Sequence, residues 1–573
     1  MTSKRLVKEN KKTYEYLVQT LESAGVKQVF TVPGLGVTWT LPGFFDRKEN
    51  IDVFLTRSEQ TASVMAQVTG RLTGKPGVLM GQGPWISTTG SFGVLEAYFS
   101  GSPMVILTET SDYDGFGQYG TYQTMTGDFN GADIQSSLKA ITKYCTYATE
   151  PEDAVYGLQM AYKHAATPRM GPAAVILKTP IIKQEVSGDV RATLYEPEGY
   201  WEYTPPKPDP EALKKLGQMI SESERPVFVA GQGVYDTRIG GSLQRLVDAV
   251  GGGLATSYNG KGTVDETSPA AVGMLGTWGS KTANRALQGA DLVVILGASM
   301  GPDYTRFRDP KMIRPGEQKI VQVDIDPLNA GWVYPVDLAI TGDVKDVITS
   351  LGEQDLPTTS KEKRMEWIRQ LKESTNYDRP PSIDAASGSM HFTDVVAAIQ
   401  GFLGPDDILT LDAGDNRIWN TSSLRIRNPN QLLVPGGVGG MGWGGPAAAA
   451  AKLALPEKRV TCAAGDGGFM MTIDILATCI EHNLPVVFLV SNNCGLGMVR
   501  DNQGAKRIGV DFGNFNFAKI AEGFGATGYQ VDNRSALEDA INQAHQQDGP
   551  VVVDIKIDPQ ASHMPASDYG PLP

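Results

Sequence analysis

The stretch that most constrains this chain is residues 460–493, VTCAAGDGGFMMTIDILATCIEHNLPVVFLVSNN. Residues 460–464 and 484–491 are short apolar runs, the first cut off by Gly465-Asp466-Gly467-Gly468 and the second by Asn492-Asn493. Runs of this length between turn residues read as buried strands. Between them Ile473, Leu476, Ala477 and Ile480 recur at helical spacing. The unit is therefore strand, glycine turn, helix, strand, and a parallel pair joined this way crosses over right-handed. Asp466 and Asn493 then sit at the carboxyl ends of neighbouring strands, where open α/β sheets bind ligands.

A carboxylate and a carboxamide converging beside glycine N–H groups suit a hard divalent cation that carries a diphosphate. Mg2+ takes six oxygens in near-octahedral geometry, of which protein usually supplies only a few. Asp466 offers a carboxylate oxygen, Asn493 its amide oxygen and Gly495 a backbone carbonyl. A lone Gly-Asp-Gly is also an ordinary strand-to-helix turn. Here Asn493 follows 27 positions after Asp466, at the end of the second strand. The pair resembles the GDG…NN signature of thiamine-diphosphate enzymes in the acetolactate synthase, pyruvate oxidase and benzoylformate decarboxylase family. The resemblance implies thiamine diphosphate with Mg2+, held at Asp466, Asn493 and Gly495. It also implies a cofactor surface that includes Gly465, Gly467, Gly468, Leu496 and Met498.

At 573 residues the chain is too long for one core, and roughly three or four domains are expected. Its 51 basic against 64 acidic side chains give a net charge of −13, which argues against nucleic acid or an anionic membrane surface as partner. The N-terminus, MTSKRLVKENKKTYEYL, is basic but has no apolar segment of the secretory kind, so a cytoplasmic protein is expected. Cys145, Cys462, Cys479 and Cys494 show no CxxC spacing, and no disulfide is expected. Cys494 follows Asn493 without a paired histidine, which fits a spacer better than a thiol nucleophile.

The pattern of strands and helices predicts an α/β fold of three consecutive domains, each a mostly parallel sheet flanked by helices. Helix 11–24 and strands 28–32, 78–81 and 104–108 open the first. Strands 226–230, 292–296 and 319–323 belong to the second, and helix 393–402 with strand 408–411 opens the third. Linkers rich in proline and polar residues at 203–210 and 375–390 separate them. The resemblance implies bounds of 1–190 for a pyrimidine-binding domain, 205–355 for a middle Rossmann-like domain and 375–573 for a diphosphate- and Mg-binding domain. The middle domain carries Gly231-Gln232-Gly233 but no third glycine opening a helix, so the dinucleotide fingerprint is absent. In the resembling family this domain holds FAD in some members, ADP in others and nothing in many; neither nucleotide is expected here. Asp326 reads as a strand-end turn residue.

The remaining site residues follow from the resemblance. TRSEQTASVMAQVTGRLTGKPGV matches the family's glutamate segment, with Ser58 as helix cap and Glu59 in the first turn. A carboxylate there also favours the helix dipole without any function. The resemblance makes Glu59 the catalytic contact to the aminopyrimidine of the cofactor. The family commonly carries His before this Glu; here the residue is Ser58. Pro33-Gly34 and Gly83 stand in loops over the cofactor. Tyr122-Gln123 resembles an aromatic–Gln pair lining the active site, with Gln123 a catalytic candidate; a surface-loop glutamine is the alternative. Gly414, Asp415 and Asn416 would line the diphosphate through backbone groups. In the glycine-rich stretch 435–446, Gly439 and Met441 meet the cofactor, Met441 as the apolar wedge that bends it. Gly497-Met498-Val499 continues the likeness to acetolactate synthase catalytic subunits, but Asn502 stands where anabolic members carry an acceptor-selecting tryptophan.

The function implied is a thiamine-diphosphate- and Mg-dependent carboligase or decarboxylase of a small 2-oxo acid such as pyruvate, with a second carbonyl compound as acceptor. No nucleic acid or membrane partner is expected, and a homodimer is the minimum assembly, with a homotetramer favoured. The alternatives are an acyl-CoA lyase or another 2-oxo acid decarboxylase of the same family. A non-catalytic paralogue would be expected to lose Glu59 or a metal ligand first, and the chain keeps them all.

Overall fold

A computed structural model of the chain describes residues 4–112, 123–128, 131–187, 193–356, 360–379, 381–385, 388–428 and 430–566. Its frame is three six-stranded sheets in which every strand pairing is parallel. Parallel strands covered on both faces read as unbroken apolar runs, and Leu292–Leu296 and Met104–Glu109 are buried at every position.

In the first sheet the strands lie in the order Asp52–Leu55, Gln28–Val32, Gly77–Gly81, Met104–Glu109, Pro172–Leu177, Tyr144–Ala148. The third runs Leu432–Leu433, Ile408–Leu411, Val460–Gly465, Val486–Asn492, Val551–Lys556, Thr527–Val531. Counted along the chain, both have the order second, first, third, fourth, sixth, fifth, so the two sheets are topological copies. The middle sheet runs Ala271–Met274, Gly253–Thr256, Pro226–Ala230, Leu292–Leu296, Lys319–Asp324, Leu338–Thr341. That is the doubly wound order 3-2-1-4-5-6 of dinucleotide-binding folds.

In the first and third sheets the winding reverses between the first and third strands of each. The crevice outside the carboxyl ends of such a pair is the place where open α/β sheets take ligands. In the first sheet those ends lead into Pro33-Gly34 and Gln82-Gly83. In the third they lead into Asp412 to Asn416 and into Asp466 to Gly468.

The chain forms two compact units. One comprises Met1–Thr204, Gly436–Pro456 and Thr472–Leu484; the other comprises Pro205–Pro435, Glu457–Met471 and Pro485–Pro573. The first unit carries the first sheet and, beside helix Glu59–Thr73, the alanine-rich helix Gly444–Ala454. Residues 444–451 of that helix are all buried, and small side chains suit it to close helix packing. Before it, the buried Trp443 donates its Nε1–H to Gln67 Oε1 at 3.0 Å. Ser58 caps Glu59–Thr73 as expected, its hydroxyl accepting the Thr61 N–H at 3.2 Å. It also donates to Asp474 Oδ2 at 3.1 Å.

One local expectation changes. The stretch after Val460–Gly465 is no glycine turn: a short helix, Asp466–Met471, begins at once, and a second, Ile475–Glu481, follows it. Asp466, first in its helix, accepts the Gly467 N–H on its own carboxylate at 2.7 Å, so an N-terminal donor of the helix is satisfied and the two glycines are drawn into helical geometry.

Candidate functional site

The second unit gathers one group of expected residues at the switch point of the third sheet. The Asp466 carboxylate is 2% exposed and accepts the N–H groups of Gly467 and Gly495, the latter at 3.3 Å. Burial raises its pKa to about 6, against the pull of those amides, of the Cys494 N–H and of the Arg500 guanidinium. Asn493 follows strand Val486–Asn492 and is 4% exposed, and its main-chain carbonyl accepts from the Arg500 guanidinium at 3.4 Å. Its neighbour Asn492 donates to Phe515 O and Asp554 Oδ1, both at 2.9 Å. Leu496 donates its N–H to Val510 O at 2.8 Å, and Met498 packs on the third sheet's core. Gly497 must be glycine: a Cβ there would fall 2.0 Å from Asp415 Oδ2 and 2.8 Å from Asn493 Nδ2.

Gly414, with φ +98°, precedes helix Asp415–Ser423. Asn416 donates to Ala463 O at 2.7 Å and so ties this helix to the central strand. The Asp415 side chain turns to His563, whose Nδ1 lies 2.9 Å from Asp415 Oδ1 and 2.8 Å from Asp501 Oδ2. Burial opposes charge on that ring, but the two carboxylates outweigh it and raise His563 to about 9. Burial raises Asp415 as well, while Asp501, also resisted by burial, is held low by His563 and Ser562. None of the chain's five histidines stands in a recognisable motif. His563 and Asp501 are joined to Asp415 only by the fold.

The first unit gathers a second group. Glu59 opens its helix half-buried, and its Oε2 accepts the Thr89 hydroxyl at 3.3 Å. Gly34 lies against the Gln82 side chain, and Gly83 begins helix Gly83–Ile86. Gln123 stands in the left-handed region, φ 54°, and accepts the Gln82 amide at 2.8 Å; Tyr122 lies outside the described residues. The glycine-rich stretch is held by the buried Glu96, whose carboxylate accepts the N–H groups of Gly437 and Val438 at 2.7 Å and of Gly439 at 3.4 Å. Met441 follows, half-buried, in a turn. Glu96 was invisible in the sequence because a lone acid inside an apolar helix pattern carries no signal of its partner.

Residues 11–132 match the thiamine pyrophosphate enzyme N-terminal TPP binding domain, 213–351 its central domain and 412–555 its C-terminal TPP binding domain. Thiamine pyrophosphate is the same compound as thiamine diphosphate. The chain is 31% identical to the probable acetolactate synthase large subunit of Methanocaldococcus jannaschii, over 95% of this chain and 92% of that protein. The chain belongs to the thiamine pyrophosphate enzyme family. It is 28% identical to the acetolactate synthase isozyme 1 large subunit of Escherichia coli, over 96% and 95% of the two chains. It is also 27% identical to the pyruvate oxidase of Lactiplantibacillus plantarum, over 94% and 88%. It is thus a thiamine-diphosphate-dependent, acetolactate-synthase-like enzyme of carbon–carbon bond chemistry.

The residues of this thiamine-diphosphate enzyme fit the cofactor. A diphosphate with its counter-cation needs hard oxygens and free backbone N–H groups at a strand-end crevice. The carboxylate of Asp466 and the carboxamide of Asn493 supply such oxygens at the ends of two paired strands. Cβ atoms added at Gly414 or Gly465 would meet nothing within 4 Å, which leaves open space beside them. No helix among the described residues is long and apolar enough to cross a membrane.

Proposed function

We propose that this enzyme uses Mg2+ with thiamine diphosphate to remove carbon dioxide from a small 2-oxo acid such as pyruvate, and joins the remaining carbon unit to a second carbonyl compound. One observation carries the metal: the buried Asn493 and the desolvated carboxylate of Asp466 stand at the ends of neighbouring strands of the third sheet, with the Gly495 N–H on Asp466. The named activity of the relatives, acetolactate synthase, supports the reaction type.

Asp466, Asn493 and the Gly495 carbonyl would hold the cation, and phosphate and water would complete its six oxygens. Thiamine diphosphate, when bound, supplies the electron sink for the carbon–carbon cleavage. Glu59 would hold a proton at the pyrimidine ring nitrogen. Met441 offers an apolar surface under the cofactor, and Gln123 faces the 2-oxo acid. Residues 1–190 serve the pyrimidine, 375–573 the diphosphate, and 205–355 form the middle domain. Two copies of the chain are the minimum active assembly, the pyrimidine segment of one and the diphosphate segment of the other serving one cofactor, and pairs of dimers form the tetramer. The protein works in the cytoplasm.

Glu59→Gln tests the centre of this reading. The variant should bind cofactor normally but exchange the thiazolium C2 proton more slowly, by the ~10²–10⁴-fold typical of acid–base groups. A carboxylate that served only the helix dipole would change stability by ~0.3–1 kcal/mol and leave exchange untouched. Exchange within a few-fold of wild type in the folded variant would refute the assignment. A panel of 2-oxo acids with mass-spectrometric product identification tests the substrate class.

A further inference from the structure

A buried carboxylate stands behind Gln123 with no part in the chemistry above. Glu109 ends strand Met104–Glu109 and is fully buried in the first unit. No cation pairs with it among the described residues. Its Oε2 accepts the Thr179 hydroxyl at 2.6 Å and the Ser111 N–H at 2.5 Å. Its Oε1 accepts the Ser111 hydroxyl at 3.1 Å and, at 3.5 Å, the Gly83 N–H. Burial raises its pKa, and these four donors oppose the rise. The cradle is tight: at Gly36, φ +96°, a Cβ would fall 2.8 Å from the Glu109 carboxylate. Ser111 itself is held at φ 51°, a conformation that a side-chain-bearing residue keeps only when its surroundings impose it.

The direction of the hydrogen bonds matters more than their number. Because the Ser111 hydroxyl gives its proton to Glu109, Ser111 Oγ can only accept from Gln82, whose Nε2 lies 3.2 Å away. That choice fixes which end of the Gln82 carboxamide points here, and the other hydrogen of the same Nε2 goes to Gln123 Oε1 at 2.8 Å. Gln123 therefore has its oxygen engaged, while its NH2 group donates to no side chain or carbonyl among the described residues. Each step follows from the donor and acceptor inventory of these groups.

We propose that Glu109 is a positioning residue that sets the polarity of the Gln123 carboxamide, so that Gln123 presents its NH2 group to a carboxylate or carbonyl oxygen of the 2-oxo acid. This rests on the reading that Gln123 faces a 2-oxo acid. In Glu109→Gln a neutral amide can donate to Ser111, so the relay can run either way and Gln123 loses its fixed orientation. Ser111→Ala cuts the same relay one step later with Glu109 intact.

The test uses the thiamine-diphosphate-loaded enzyme. Measured are kcat and KM for pyruvate, the Kd of the non-decarboxylating analogue methyl acetylphosphonate by calorimetry, and the Kd of thiamine diphosphate. Glu109→Gln and Ser111→Ala should each raise KM and the analogue Kd roughly 10–100-fold, the loss of a hydrogen bond to a charged group. Cofactor affinity should stay at the wild-type value. Gln123→Ala should show the same defect, and adding Glu109→Gln to it should cost nothing more, because the two act through one contact. If Glu109→Gln does not fold, Ser111→Ala carries the test. Wild-type KM in either folded variant or in Gln123→Ala, or full additivity with Gln123→Ala, overturns the proposal. A wild-type enzyme that binds thiamine diphosphate but neither turns over nor binds any 2-oxo acid overturns the functional reading, and this one with it.

Discussion

Replacing His563 by glutamine removes the cation that stands between the buried Asp415 and the half-buried Asp501. In the wild-type protein Nδ1 bridges Asp415 and Asp501 at 2.9 and 2.8 Å in a fully buried ring. Burial works against the imidazolium, but the two acids more than compensate and raise its pKa from 6.5 to about 9. At ~1.36 kcal/mol per pH unit that rise is worth about 3 kcal/mol. Because the folded-state pKa lies above the unfolded one, this stabilisation is complete below about pH 6.5 and disappears as the pH climbs through about 9. Urea unfolding followed by tryptophan fluorescence reports it, since the Trp278 ring packs edge-on to His563 with centroids 4.8 Å apart. Wild-type stability should fall by about 3 kcal/mol between pH 6 and pH 9.5 from this source, and the fall should be missing in His563→Gln. At pH 6 the variant should be less stable by about 3–5 kcal/mol, the cost of leaving buried charge unpaired. Towards pH 9.5 the two proteins should converge. A deficit of equal size at both ends of the range would refute the ionic bridge.

Two further perturbations follow from the same kind of accounting. Lys261 and Glu266 form a fully buried pair, Nζ lying 2.8 and 2.6 Å from the two carboxylate oxygens and 3.0 Å from Leu424 O. Burial pulls the lysine pKa down against Glu266, so Glu266→Ala should destabilise by about 3–5 kcal/mol in denaturant unfolding, and Lys261→Met added to it should recover most of the loss. If Asp466 holds the proposed Mg2+, Asp466→Ala should abolish the rise in thermal midpoint that Mg2+ and thiamine diphosphate together are expected to give the wild-type protein, a linkage worth about 2.7 kcal/mol at a hundredfold excess over Kd. An undiminished rise would remove Asp466 from the metal site.

Much of the frame was legible because parallel strands buried on both faces announce themselves as apolar runs closed by small or polar residues. Strands Gln28–Val32, Pro226–Ala230, Leu292–Leu296 and Ile408–Leu411 fall where the runs place them. The less regular strands did not: Thr527–Val531 is an edge strand with half-exposed positions, and Leu432–Leu433 is too short to show a pattern. Asp466 and Asn493 were legible because each closes its own strand run. The partners that tune the site were not, since Glu109, Glu96 and His563 differ in no local way from acids and histidines that serve only packing or solvent contact.

By itself the sequence determined which segments form strands and helices, where caps such as Ser58 begin them, and which glycines, acids and amides end them. These depend on neighbours within a few positions, so local composition suffices. Only the tertiary structure decided the order of the strands, and with it which strand ends share a crevice. Asp415 meets Asp501 and His563, and Glu109 reaches Gln123 through Ser111 and Gln82. Such contacts carry no sequence period, because sheet order rather than separation along the chain sets the distance between strand ends. The direction in which a chain of hydrogen bonds points becomes readable only when every donor has met its acceptor.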